Sequence, residues 1–321
     1  MKSITSIRLF LFALLSLTWL FSSDGIASQT AQQPGGHEVN TQELGLQNAD
    51  SLKNLNAGQI ALLLQTQAIA PDILCIQQTG VLRVAIVDEN NPPFHFTNKK
   101  GELDGIDIEI AKKIASEFGV KAEFIKAKTY DEVVDLIVSK KAHLGISKLS
   151  VTSLRAQKVR FAGSYAKFAK GLLINRVQFN KLKSDENNTI EEIFKLPGVS
   201  IGVIAKTSYE QYAKTMFPNT ALKTYTTWDE VINALLKGEI LAAFRDEWEI
   251  RKTLYNNKDL GIYAEAIYLK SEDDPIQIIL PWNSNQLASF VDMFLKLNAK
   301  YQYTVPQLYE LYKKYEAENK K

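Results

Sequence analysis

The chain has 321 residues, 45% of them hydrophobic and 23% charged, enough for a sizeable core in one large domain or two smaller ones. Its 38 basic and 36 acidic residues leave a net charge of +2, which argues against a nucleic-acid surface. The single cysteine, Cys75, rules out an intramolecular disulfide, and His37, His95 and His143 lie too far apart to show a metal-ligand spacing.

Residues 1–28 read as a secretory signal: Lys2 and Arg8 form the positive end, Leu9 to Phe21 the apolar stretch, and Gly25-Ile26-Ala27-Ser28 a small-residue cleavage site near Ala27 or Ser28. The apolar stretch is short for a membrane span and is broken by Ser16 and Thr18; an uncleaved anchor is the alternative. The mature chain is expected to be soluble in a bacterial periplasm. Export makes a redox or metal role for Cys75 unexpected, and it reads as a buried, inert thiol within Ile73–Ile76. Residues 29–49 form a polar leader. Leu52, Leu55, Ile60, Leu63 and Leu64 then mark an amphipathic helix over 51–70, ended by Pro71. This reads as a helix packed on its own domain, the alternative being one that faces a partner or membrane.

From Gly80 the pattern alternates. Strands are expected at Val81–Val87, Ala122–Ile125 and Ala142–Ile146, with helices at Ile106–Phe118 and Tyr130–Ser139. A second unit places strands at Lys170–Ile174, Val199–Ile204 and Ile240–Phe244, a polar connection over 177–188, and helices from Ser208 to Phe217 and at Trp228–Lys237. A strand at Gln277–Leu280 and helices at Ser284–Leu297 and Thr304–Ala317 finish the chain. Alternating strands and helices imply a largely parallel α/β sheet, whose ligands bind at strand carboxyl ends. The last helices lie too far along to belong to the second unit, so the chain is expected to cross twice between two lobes.

One such carboxyl end is Ser147 to Arg155, which delivers hydroxyls and an arginine into a loop ahead of a helical turn capped by Thr152 or Ser153. A guanidinium fork matches a carboxylate. The alternative is a capped surface helix with a solvated arginine. Thr207 with Glu210 and Ser208 with Gln211 have capping-box spacing at another helix start, a setting that suits an anion.

Several stretches together resemble the solute-binding proteins of polar amino-acid ABC transporters, the bacterial extracellular solute-binding protein family 3. They are Gly80–Ile86; Pro93-Phe94 with Phe96; Gly105-Ile106-Asp107-Ile108-Glu109-Ile110-Ala111; Ser150-Val151-Thr152 with Arg155, Phe161 and Tyr165; and Gly238–Ala243 followed by Asp246. The resemblance spans roughly residues 72–317. It implies a two-lobed periplasmic binding protein type II fold with two crossing hinge strands. The parts are a signal over 1–28, a leader and helix over 29–71, lobe one over 72–173 and again over 269–321, and lobe two over 174–268.

The same resemblance implies an amino acid held between the lobes. Arg155 clamps its carboxylate, with Ser150, Thr207 and Ser208 assisting. Asp246 accepts its ammonium, with the Lys148 backbone carbonyl as partner. Tyr130 covers its side chain, and Asp88 and Asn91 lie close by. Two departures stand out: Asn91 replaces an aromatic platform, and Lys148 replaces a small residue. The Lys148 side chain either leaves the cleft or adds positive charge, and Arg245 beside Asp246 adds more. This favours a polar or acidic amino acid, the alternative being that both cations face solvent. The implied partners are that ligand and a membrane permease; no cofactor, metal or nucleic acid is expected, and the chain is expected to be a monomer. An enzyme is not expected, for there is no triad, phosphate loop or metal cluster. The alternatives are a cyclohexadienyl dehydratase-like enzyme on the same scaffold, or a receptor presenting ligand to a membrane sensor.

Overall fold

The computed structural model describes residues 69–183 and 189–319; the secretory signal, the leader and nearly all of the helix expected over 51–70 lie outside them. Pro71 opens a helix. It sits in the first turn of α1 (Pro71–Thr79), where its fixed φ suits the helix and no amide hydrogen is needed. Ile76 of α1 is buried whereas Cys75 is exposed, so the expected buried thiol is corrected. Neighbouring helical residues point about 100° apart, so burying Ile76 turns Cys75 away from the core.

The first half builds β1 (Val81–Val87), the small hairpin β2 (Phe96–Thr97) and β3 (Leu103–Asp104), and α2 (Ile106–Glu117). It continues with β4 (Lys121–Ala127), α3 (Tyr130–Val138) and β5 (Leu144–Gly145). A short α4 (Ser153–Ala156) leads into the long β6 (Val159–Asn175). α5 (Arg176–Leu182) and α6 (Ile190–Phe194) follow, the former within the span expected to be a polar connection. Asn175 explains α5, since its side chain accepts from the Gln178 amide and caps it.

The second unit comprises β7 (Ser200–Ile204), α7 (Ser208–Met216), β8 (Ala221–Tyr225), α8 (Trp228–Lys237), β9 (Ala242–Asp246), α9 (Glu247–Asn256) and α10 (Leu260–Tyr263). β8 escapes an apolar-run search because it is an edge strand whose Lys223 and Thr224 are exposed. The 18-residue β10 (Ala264–Pro281), α11 (Asn285–Leu297) and α12 (Val305–Asn319) complete the fold.

All the long strands hydrogen-bond in one sheet of order β4-β1-β5-β10-β6-β9-β7-β8. β4, β1 and β5 are parallel at one end, and β9, β7 and β8 at the other. The antiparallel pair β6 and β10 runs between them, and each long strand serves both ends. The β6–β10 register shifts between Leu269 and Asp273, where the pair passes from one lobe to the other. Two lobes joined by two crossing strands is the architecture expected from the sequence.

Helices cover both faces of each half. In the first lobe Leu82 and Val84 of β1 pack with Ile110 and Ile114 of α2 and Val291 of α11, while Ala85 and Val87 face Val133 and Ile137 of α3. In the second, Leu172 and Phe244 face Tyr209, and Leu173 and Ala243 face Val231 and Leu235. Strand alternation with both faces buried is what a sheet clothed by helices requires. Trp248 of α9 inserts into the first-lobe core against Phe94, whereas Ile250 belongs to a second-lobe core. α9 therefore straddles the crossing.

Candidate functional site

The loop after β5 is stitched in place before it presents any chemistry. The Ser147 hydroxyl accepts from the Val87 amide at 2.8 Å, and the Lys148 amide donates to the Tyr165 hydroxyl at 2.9 Å. The amides of Val151 and Gln277 donate to Pro275 and Leu149 carbonyls, tying the loop to β10. Lys148 adopts a left-handed φ of 48°, uncommon for a residue with a Cβ and a conformation that aims its side chain off the strand path. Thr152 then caps α4 by accepting from the Arg155 amide. That turn folds Arg155 back so that its Nη1 donates to the Ser150 carbonyl at 3.0 Å.

Arg155 is only 6% exposed, yet its Nε has no hydrogen-bond partner among the described residues. Burial lowers its pKa, as it must for a cation taken from water without a carboxylate partner. Its guanidinium lies 6.0 Å from the centre of the Tyr130 ring.

The facing wall starts at α7. The Thr207 hydroxyl caps this helix, accepting from the Glu210 amide and donating to the Ile204 carbonyl at 2.7 Å. The Ser208 hydroxyl crosses the cleft and donates to Ser150 Oγ at 3.2 Å. Tyr209 donates to Asp274 Oδ2 at 3.0 Å, as does Ser150, and Tyr212 donates to the Val151 carbonyl at 2.6 Å. Asp274 on β10 is thus held by hydroxyls from both lobes. Burial, with the nearby charge of Asp246, nonetheless pushes it up to about 6.

At the end of β9, Asp246 caps α9 through Oδ1, which accepts from the Glu249 amide at 3.0 Å. Its Oδ2 lies 2.8 Å from Lys148 Nζ. Lys148 Nζ also reaches Glu249 at 3.4 Å and sits over the rings of Phe94 and Phe168 at 5.7 and 5.5 Å. Burial alone would depress this ammonium, but the two carboxylates outweigh it and raise its pKa. Glu249 pairs with Lys252 at 2.8 Å, and its neighbouring cations hold it well below the usual carboxylate range despite burial. Arg245 lies 3.7 Å from Asp246 through an Nε that makes no hydrogen bond among the described residues, and its guanidinium faces the Trp228 ring.

These groups line a small polar cavity of about 30 Å³. Tyr130, Lys148, Ser150 and Arg155 line it from the first lobe, and Thr207, Ser208, Tyr209, Arg245 and Asp246 from the second. Of the residues expected from the sequence, Asp88 and Asn91 stand outside this lining. Asp88 pairs with Lys126 at 2.7 Å on the surface, and buried Asn91 accepts from Lys252. Lys148 and Arg245 face the cavity and not solvent, and Asp246 carries an internal partner that the sequence reading did not anticipate. Tyr209 and Glu249 were missed; the signal for Glu249 is its place three residues after a capping aspartate, which turns it toward the same end of α9. Among the described residues no cluster of three or more metal-ligating side chains occurs.

The sequence profile of bacterial extracellular solute-binding proteins, family 3, matches residues 82–315. An arginine-binding periplasmic protein of Mannheimia haemolytica is 23% identical over 60% of this chain and 75% of its own length. The histidine-binding periplasmic protein of Escherichia coli K12 is 27% identical over 50% of this chain, and the match spans only 58% of that protein. Among solved structures, an ancestral amino acid-binding protein that is a precursor of cyclohexadienyl dehydratase superposes with a TM-score of 0.58 at 25% identity, over 76% of this chain and 99% of its own.

Proposed function

Because the chain belongs to the bacterial extracellular solute-binding proteins, family 3, we propose that it captures a small amino-acid-type carboxylate between its lobes and delivers it to the permease of an ABC transporter. The observation that carries this reading is Arg155: a buried guanidinium, unpartnered at Nε, lining a cavity whose opposite wall supplies hydroxyls and a helix start. A cavity of about 30 Å³ has room for a water or two and not for a solute, so loading requires the lobes to part about the β6–β10 crossing. Closure over a ligand touched by both lobes then follows from differential affinity for the closed state.

A polar or acidic side chain is the finer reading, supported by the cationic Lys148 and Arg245 at the cavity wall. Capture is preferred to catalysis because the carboxylate lining the cavity is committed to an ion pair and is not free to move protons. A periplasmic location is supported by the amino-terminal signal pattern and by the periplasmic relatives. No helix among the described residues is long and apolar enough to cross a membrane.

Titration calorimetry of the refolded, solute-free protein against amino acids and their carboxylate analogues tests the reading. Saturable one-to-one binding that Arg155→Ala removes supports it; no binding anywhere in the panel overturns it.

A further inference from the structure

An amino acid in such a cleft needs an anionic acceptor for its ammonium, and here that acceptor is taken. The carboxylate at the cavity wall is Asp246, and its outer oxygen lies 2.8 Å from Lys148 Nζ. Lys148 is not a loose surface residue that has fallen into the cleft. It is 8% exposed, its Nζ has Glu249 as a second acceptor, and two buried rings flank it. Leaving that place would take the ammonium from two carboxylates and two aromatic faces at once.

The remaining charge at the cavity is positive. Among the described residues Lys148, Arg155 and Arg245 line it against Asp246 alone, three cations to one anion; Glu249 behind them already pairs with Lys252, and Asp274 is held by Ser150, Tyr209 and Tyr212. The two arginines stand on opposite lobes, and each keeps an Nε–H without a hydrogen-bond partner among the described residues. An incoming ammonium would add a fourth cation to this set with its acceptor already occupied. A solute with two carboxylates would instead give each guanidinium a partner.

We propose that Lys148 fills the place of the ligand's ammonium, so that the cleft takes a small dicarboxylate lacking an α-ammonium group, one carboxylate on Arg155 and the other on Arg245. This rests on the reading of the cleft as the solute site and names the solute's class.

The test compares acids that differ only at the α-carbon: L-aspartate against succinate and L-malate, and L-glutamate against glutarate and 2-oxoglutarate. Each is titrated calorimetrically into the full chain after unfolding, dialysis and refolding. In at least one set the acid without the ammonium is expected to bind at least about tenfold more tightly than its amino acid. Lys148→Ser, and Lys148→Met should the serine variant fail to fold, are expected to shift that preference toward the amino acid by freeing Asp246. If the amino acids bind more tightly than their analogues to the unaltered chain, the inference is overturned while the capture reading stands. If amino acids and analogues all fail to bind, both fall.

Discussion

The Ser150 hydroxyl and the Asp274 carboxylate lie 3.0 Å apart, and through Tyr209 and Tyr212 the same carboxylate joins the second lobe to the first. Its pKa, pushed up from 3.8 to about 6 by burial and by Asp246, makes this junction sensitive to pH. Below about pH 4 both folded and unfolded chains carry the proton, so Asp274 contributes nothing there. Between about 4 and 6 the unfolded chain loses its proton first, so stability falls as pH rises, by about 3 kcal/mol in all. Asp274→Asn should therefore gain about that much relative to the unaltered chain between pH 4 and 7.5. Urea unfolding at both ends of the range measures it. His143, held down to about 4 by burial and by Arg83, changes stability in the opposite direction over an overlapping range. The difference between the two proteins removes that contribution; equal pH dependence in both would refute the Asp274 assignment.

Gly105 opens α2 with a φ of 111°, and a Cβ there would collide with the Phe94 carbonyl oxygen. The close approach has a purpose: Ile106 and Asp107 amides donate to the Pro93 and Phe94 carbonyls, and Asp107 then pairs with His95 at 2.9 Å. Phe94, fixed this way, is one of the rings beneath Lys148. Gly105→Ala should destabilise the fold by about 2 kcal/mol or more. A melting temperature unchanged from the parent chain would show that the backbone relaxes without cost.

The lobes and most of the cleft were legible because their signals are local. Apolar runs mark β1, β7 and β9, and Arg155, Thr207 and Asp246 stand at or just beyond the carboxyl ends of β5, β7 and β9. The full length of β6 was not legible, since Gly163 and the exposed Arg160, Ser164 and Lys167 break the apolar pattern of a strand that only pairing with β10 defines. Tyr209 reads as an ordinary core aromatic until its hydroxyl is seen on Asp274. The partner of Lys148 lies 98 residues away, and no periodicity or spacing within either segment records that meeting. Asp88 and Asn91 follow β1 at its cleft side, but surface Lys126 and half-buried Lys252 draw their side chains elsewhere.

The Lys148–Asp246 pair joins the lobes from inside, and its worth is measurable as a coupling. Removing one partner strands the other as a buried charge, which typically costs about 3–5 kcal/mol. Glu249 and Arg245 soften this by offering each survivor an alternative neighbour, so a value near the lower end is expected. Lys148→Met and Asp246→Asn should each lower the unfolding free energy, and the double variant should lose less than their sum. Strict additivity in urea unfolding would mean that the two side chains do not interact in solution.

Arg155 separates stability from binding most cleanly. It donates one hydrogen bond to the Ser150 carbonyl, has no ion-pair partner within 4 Å among the described residues, and is buried enough that its charge is unfavourable before any solute arrives. Arg155→Ala should therefore leave the solute-free melting temperature within a few degrees of the parent chain. A bound solute at a hundred times its dissociation constant stabilises the parent by about 2.7 kcal/mol, a rise of roughly 5–10 °C for a domain of this size. The variant should show none of that rise with any carboxylate that shifts the parent. A thermal-shift series on both proteins distinguishes the outcomes: a large fall in solute-free stability would make Arg155 a structural residue, and a retained shift would place the carboxylate elsewhere in the cleft.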